Sequence, residues 1–149
     1  MRINFEVIDC NTVFGPSPTP ATDLSLDNLI SAVQNHGITR ACTLSTVGLC
    51  HNYAEGNAAT IGACSGHPEL IPVATIDPRG YFKSSDTAEK LVSQGFKMFR
   101  MFPDEQNWPI DYAPFPSILD SIEATGAPVM IGVGRQGDAT ALLRMAKGR

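Results

Sequence analysis

Four times along the chain a helical spacing of apolar residues runs through a glycine into a short apolar stretch: NHGITRACTLS, SGHPELIPVATI, SQGFKMFRM and ATGAPVMIG. A glycine just past a helix tolerates the left-handed backbone that ends it, and the apolar run that follows reads as a buried strand. The pattern is an alternation of helix and strand. Between residues 25 and 36, Leu26, Leu29, Ile30 and Val33 fall at i, i+3, i+4 and i+7, one stripe facing a core. Ser25 is placed as its N-cap, Leu24 and Leu29 as a hydrophobic staple, and Gly37 as its stop. His36, beside that stop, reads as a C-terminal helix residue favoured by the helix dipole. Phe115, Ile118, Leu119 and Ile122 repeat the stripe over 115–125, after Pro114 and Pro116 and before Gly126. Shorter helices are predicted over 85–94, with Ala88, Leu91 and Val92 inward, and over 139–147 behind the N-cap candidate Asp138. A small-residue helix over 53–64 is weakened by Gly56 and Gly62.

Strands are then predicted over 4–9, 40–45, 71–76, 96–101 and 128–132, near-continuous apolar runs of the kind that a parallel sheet covered on both faces requires. Five β/α units result. Because crossover connections between parallel strands are right-handed, they form either an open doubly wound sheet or a section of a (β/α) barrel. A complete eight-unit barrel takes roughly 250 residues, so this length holds about five-eighths of one.

The chain has 149 residues with 43% hydrophobic content, enough for one domain with a sizeable core, expected to span 1–149. A net charge of −4 with scattered Lys and Arg leaves no basic footprint, so nucleic acid is not an expected partner. Cys10, Cys42, Cys50 and Cys64 form no C-x-x-C pair and read as reduced thiols rather than a disulfide framework. Glu6 and Asp9 among the first ten residues argue against a signal peptide or a spanning segment there. A cytoplasmic protein without a membrane partner is expected.

VIDCNTVFG, PELIPVATIDPRG, GFKMFRMFPDEQNW and APVMIGVG resemble, in order and spacing, the first half of the amidohydrolase-related family of metal-dependent hydrolases and decarboxylases with a TIM-barrel fold. The resemblance covers nearly the whole chain. It implies an α/β fold, a partial (β/α)8 barrel of about five units with parallel strands. It also implies a divalent metal such as zinc, held by a His-x-His after the first strand and a His in the fifth. Those positions are occupied here by Asn11, Val13 and Gly132. Zinc-type sites want His nitrogen, Cys sulfur or carboxylate, so the expectation is an Asn-bearing branch with no metal and no other cofactor. His51 and His67 fall at opposite rims of such a barrel and are not expected to share a metal.

In a TIM barrel the site lies at the C-terminal ends of the strands and in the loops that follow. Asn11 follows the first strand. The loop VGLCHNYAEGN supplies His51, Asn52, Tyr53 and Asn57, and FPDEQNWPIDY supplies Asp104, Gln106 and Trp108. Strand alternation sends Cys10 to the face opposite Asn11, against a helix. Lys97 and Arg100 likewise point to opposite faces, and Arg100, nearer the mouth, is the candidate anion anchor through its planar fork, with an internal ion pair as the competing reading. GVGRQG, 132–137, matches a dinucleotide fingerprint, but only 12 residues follow Gly137 and the fingerprint needs an acidic residue about 20 further on. It reads as a chance match.

Two functional readings follow. The first is an amidohydrolase-like hydrolase or related lyase acting on a small carbonyl or carboxylate compound, with Asn11, Arg100 and His51 as catalytic groups and Asn57, Gln106 and Trp108 binding substrate. The second is a non-catalytic, barrel-derived binding or scaffold protein. A five-strand section also leaves unpaired edges, through which copies of the chain are expected to associate.

Overall fold

A computed structural model describes residues 5–19, 21–80 and 87–147. The chain divides into two compact units, Met1–Val73 and Ala74–Arg149. Its class is α/β, a partial (β/α)8 barrel of five β/α units with parallel strands.

In the first unit the order is β1 (Ile8–Phe14), α1 (Leu26–Asn35), β2 (Arg40–Ser45), α2 (Val47–Cys50), α3 (Tyr53–Ser65) and β3, which runs from Leu70 to Ala74 at the unit boundary. Ser25 caps α1 as the spacing predicts, its side chain accepting from the Asn28 amide. Gly37 ends α1 at φ +65°. The stripe of α1 packs as expected: Val33 is buried with Ala41 and Leu70, and Leu26, Leu29, Ile30, Ile38 and Cys64 close around them. The Asn52 side chain caps α3 by accepting from the Ala54 and Glu55 amides. Gly66 after α3 is right-handed, at φ −92°, so this glycine is not a left-handed stop. Within α3, Gly56 lies so close to the Gly48 backbone that any β-carbon would overlap it. That approach lets the one-turn α2, which the apolar spacing did not predict, seat directly on α3.

The first strand departs from its predicted bounds. It runs to Phe14 rather than ending at Asp9, because β2 offers a ladder along that length: Ile8 pairs with Arg40, Thr12 with Thr43 and Phe14 with Ser45. Continuous apolarity marks a strand only when both faces are covered, and Ile8, Cys10 and Asn11 are exposed. The register shifts between Asp9 and Thr12, where Cys10 and Asn11 on β1 oppose Cys42 alone on β2. This is a β-bulge, and it disrupts the alternation of side chains beyond it.

In the second unit a 3₁₀ turn (Pro78–Gly80) precedes α4 (Thr87–Ser93), β4 (Met98–Met101), α5 (Phe115–Thr125), β5 (Val129–Ile131) and α6 (Asp138–Met145). Residues 85 and 86 of the helix predicted over 85–94 lie outside the described residues. The fourth strand starts at Met98 rather than 96 because the Phe96 amide is still bonded to the Leu91 carbonyl, in the turn that closes α4. Gly137, not Asp138, is the N-cap of α6, while Asp138 accepts from the Arg135 amide. β4 pairs with β5 in parallel, Phe99 with Val129 and Arg100 with Met130. Phe99 and Met101 are fully buried, as are Phe115 and Ile118 of α5, whereas Met98 and Arg100 on the alternate face are half-exposed.

Among the described residues β1 pairs only with β2 and β5 only with β4. Phe5, Val7 and Ile8 are exposed beside β1. Val129, Val133 and Leu143 are exposed around β5, where α5, β5 and α6 enclose an open apolar groove of about 640 Å³. Unpaired strand edges flanked by apolar side chains template further pairing. The proposal that copies of the chain associate through these edges predicts a concentration-dependent mass in light scattering. A cooperatively melting monomer throughout the micromolar range would refute it.

Candidate functional site

Asn11 lies inside β1 at the bulge, not in a loop after the strand, and its side chain is exposed. Its amide donates to the Asp9 carboxylate at 2.9 Å, which closes the local turn of the bulge. Thr12 reaches across the ladder and donates to the Cys42 carbonyl at 2.9 Å. His51 is the exposed C-cap of α2. Asn57 lies in α3, within the span predicted as helix, and is 4% exposed, so it is a buried helix residue and not an open part of the loop after β2.

Cys10 does not pack against a helix. Ala41 of β2 faces α1, so Cys42, one residue on, faces the other way, and Cys10 lies next to it there. Burial pushes the Cys42 thiol above its ordinary range, and its neighbour Cys10 pushes it further in the same direction. Cys64, enclosed at the α1 side, is raised to about 11 by burial alone.

In the second unit, Arg100 occupies the face of β4 that alternates with the buried Phe99 and Met101. Its guanidinium lies over the Phe102 ring, 4.7 Å from the centroid. Removal from water pulls the Arg100 pKa below the usual guanidinium value, and the charge of Glu105 partly opposes that shift. The buried Nη1 has no hydrogen-bond partner among the described residues. A buried donor without a partner is costly to the fold, and a carboxylate matches the geometry of a planar guanidinium fork. Lys97, by contrast, is exposed just before the strand.

Gln106 and Trp108 are 3% and 2% exposed. They bond each other, the indole Nε1 donating to the Gln106 Oε1 at 3.0 Å, and Trp108 stacks at a tilt on Phe115 with centroids 4.9 Å apart. The Gln106 and Trp108 amides turn back onto the Phe102 and Pro103 carbonyls, with Asn107 between them at φ +54°. This knot holds the loop that leaves β4 beside Arg100. The sequence did not single out the pairing that braces its outer side: Asp104 bonds Arg135 at 3.0 Å and lies against Gly134, where a β-carbon would collide with its carboxylate. The glycine in GVGRQG therefore admits a side chain from the neighbouring loop. A signal existed in the opposite charges of the two loops after adjacent strands, though many such pairs never meet.

The residues at the family's metal positions do not fit a metal. Asn11 offers a neutral oxygen, Val13 and Gly132 offer no donor, and no three His, Cys, Asp or Glu side chains converge among the described residues. His67 is paired with Glu69 at 3.4 Å instead.

No known protein family and no curated protein sequence matches the chain. Solved structures do. A probable 2-pyrone-4,6-dicarboxylic acid hydrolase from Acinetobacter baumannii with citric acid bound matches with a TM-score of 0.63 at 17% identity, over 85% of this chain and 49% of that one. A Pseudomonas putida protein given the same provisional activity matches with a TM-score of 0.70 at 18% identity, over 97% and 54%. An amidohydrolase II matches with a TM-score of 0.69 at 11% identity, over 88% and 51%. These neighbours are amidohydrolase-family proteins, the group that the sequence motifs resemble, and the likeness is one of fold. The chain spans about half the length of each.

The packing of Gln106 and Trp108 gives a direct expectation. Trp108→Phe strips the indole donor from a buried acceptor and should lower stability by about 1–3 kcal/mol in urea titration. An unchanged midpoint would show that the pair does not brace the loop.

Proposed function

We propose that the chain is an amidohydrolase-like hydrolase, or a related lyase, for a small carbonyl or carboxylate compound, with Arg100 as the carboxylate anchor and no metal in its site. The observation that supports this reading is the Arg100 guanidinium, half-buried on the alternate face of β4 with its Nη1 enclosed and unbonded among the described residues. A bound carboxylate would supply the missing acceptor and recover part of the desolvation that depresses the group's pKa. The activities named for the neighbours concern small carboxylated compounds and agree with such a ligand. Asn11 and His51 carry forward as the proposed catalytic groups, both exposed and hence accessible to a substrate.

A second reading, a non-catalytic binding protein, is favoured by a specific observation. Asn57, Gln106 and Trp108, three side chains that the sequence assigned to substrate, are buried within their own units. Their polar atoms serve the fold. Turnover of any carboxylated lactone or related carbonyl compound, abolished by Asn11→Ala or His51→Ala, would exclude the binding-only reading.

Calorimetry with citrate as probe tests the anchor. Arg100→Ala should weaken binding by roughly 1.5–3 kcal/mol, the scale of a charge-assisted hydrogen bond, and Arg100→Lys should recover the charge without the fork. Equal affinity in wild type and Arg100→Ala would end the proposal. Elemental analysis of protein purified without chelator should find far less than one divalent metal per chain, and a full equivalent would overturn the metal-free site.

A further inference from the structure

Beside the bulge in β1 stand two neighbouring thiols that no part of the proposed function uses. Cys10 stands one residue beyond the Asp9–Ala41 pair on β1, and Cys42 one residue beyond it on β2. Neighbouring strands lie about 4.8 Å apart, and disulfide-bonded cysteines have α-carbons about 4.4–6.8 Å apart. Both residues follow directly on the Asp9–Ala41 pair, so alternation turns both side chains away from the face that Ala41 presents to the α1 core, and the two thiols are within hydrogen-bonding reach of each other. The Thr12 hydroxyl holds the Cys42 carbonyl at 2.9 Å on the far side of the bulge, so the two strands are clamped on either side of the cysteine pair. The thiols differ in access: Cys10 is exposed, while Cys42 is 8% exposed.

We propose that Cys10 and Cys42 are a reversible dithiol–disulfide site, oxidised by a small disulfide of the glutathione type, that ties β1 to β2 next to Asn11. The inference stands on the strand register and does not rest on the carboxylate reading. Exposure decides the order of events. The Cys10 thiolate attacks one sulfur of the small disulfide, forming a mixed disulfide and releasing one small thiolate. Cys42, adjacent but shielded, then attacks the Cys10 sulfur and expels the second small thiolate, and the two protein protons pass to the two released thiolates. Two electrons move from the protein to the small disulfide, which is reduced to two thiols. The raised pKa of Cys42 fits the role of a resolving thiol, too protonated and too enclosed to react first. Cys50 is exposed but lies outside this register, and Cys64 is packed, partly buried, against the residues around Val33 on the α1 side, so neither competes for the partner.

The experiment titrates the folded chain with oxidised glutathione, quenches free thiols by acid and alkylation, and maps peptides without reduction. Cleavage after Arg40 separates Cys10 from Cys42, and cleavage after Leu44 separates Cys42 from Cys50. The expected result is a Cys10–Cys42 linked peptide, loss of two free thiols per chain and recovery of both on adding dithiothreitol. Cys42→Ser should convert the product into a stable glutathione adduct on Cys10, and Cys10→Ser, an exposed and conservative change, should abolish the link while leaving Cys42 a thiol. Cys50→Ser should leave the link intact. Glutathione remaining on Cys10 in the wild-type chain, a link to Cys50 or Cys64, or four unreacted thiols would each overturn the proposal.

Discussion

Parallel pairing is the constraint from which the rest of each unit follows. A parallel strand cannot be reached through a tight hairpin, so each must be preceded by a crossover that carries the chain back along the sheet. In this chain the crossovers are helices whose apolar stripes turn to the core: Val33 of α1 packs with Ala41 and Leu70, and in the second unit Phe115 and Ile118 of α5 are buried, as are Phe99 and Met101 of β4. Covering both faces of β2 leaves five of its six residues buried, and that in turn requires the polar Thr43 and Ser45 to lie in the interior. The Ser45 hydroxyl is accommodated by accepting from the Val47 amide, while the Ser45 amide donates to the Thr60 hydroxyl of α3. Parallelism also directs all strand C-termini of a unit to one side, which is why the loops after β4 and β5 can meet through Asp104 and Arg135.

The second unit shows how such a framework presents one charged group. Alternation along β4 gives Phe99 and Met101 to the core and Arg100 to the opposite face. The loop that follows is tied by the bond between buried Gln106 and Trp108. Arg100 keeps the company of an aromatic face and a nearby carboxylate, Phe102 and Glu105, without a bond to its enclosed nitrogen among the described residues. Partial desolvation makes such a group more responsive to an incoming anion than a surface arginine, because water competes less for its donors. In the first unit the corresponding special feature is backbone geometry. Where β1 bulges, Cys10 and Cys42 each follow the Asp9–Ala41 pair and lie beside one another.

The sequence by itself determined the alternation of elements, because helical stripes, glycine stops and apolar runs are local signals. The second strand and the fifth helix have the bounds that local pattern predicts, 40–45 and 115–125, since Gly37 marks the turn before the strand, Gly126 the end of the helix, and the helix carries regularly spaced apolar residues. Motif order was also legible, and the solved structures bear out the fold it implied. Only tertiary structure decided β1, whose polar residues are strand because β2 supplies a ladder for them, and whose register with β2 turns Cys10 away from the face that α1 covers. It likewise decided that Asn57, Gln106 and Trp108 lie inside their units. Polar residues after a strand look alike in sequence whether they face solvent, ligand or one another, and what separates these cases is burial and hydrogen bonding set by residues distant along the chain.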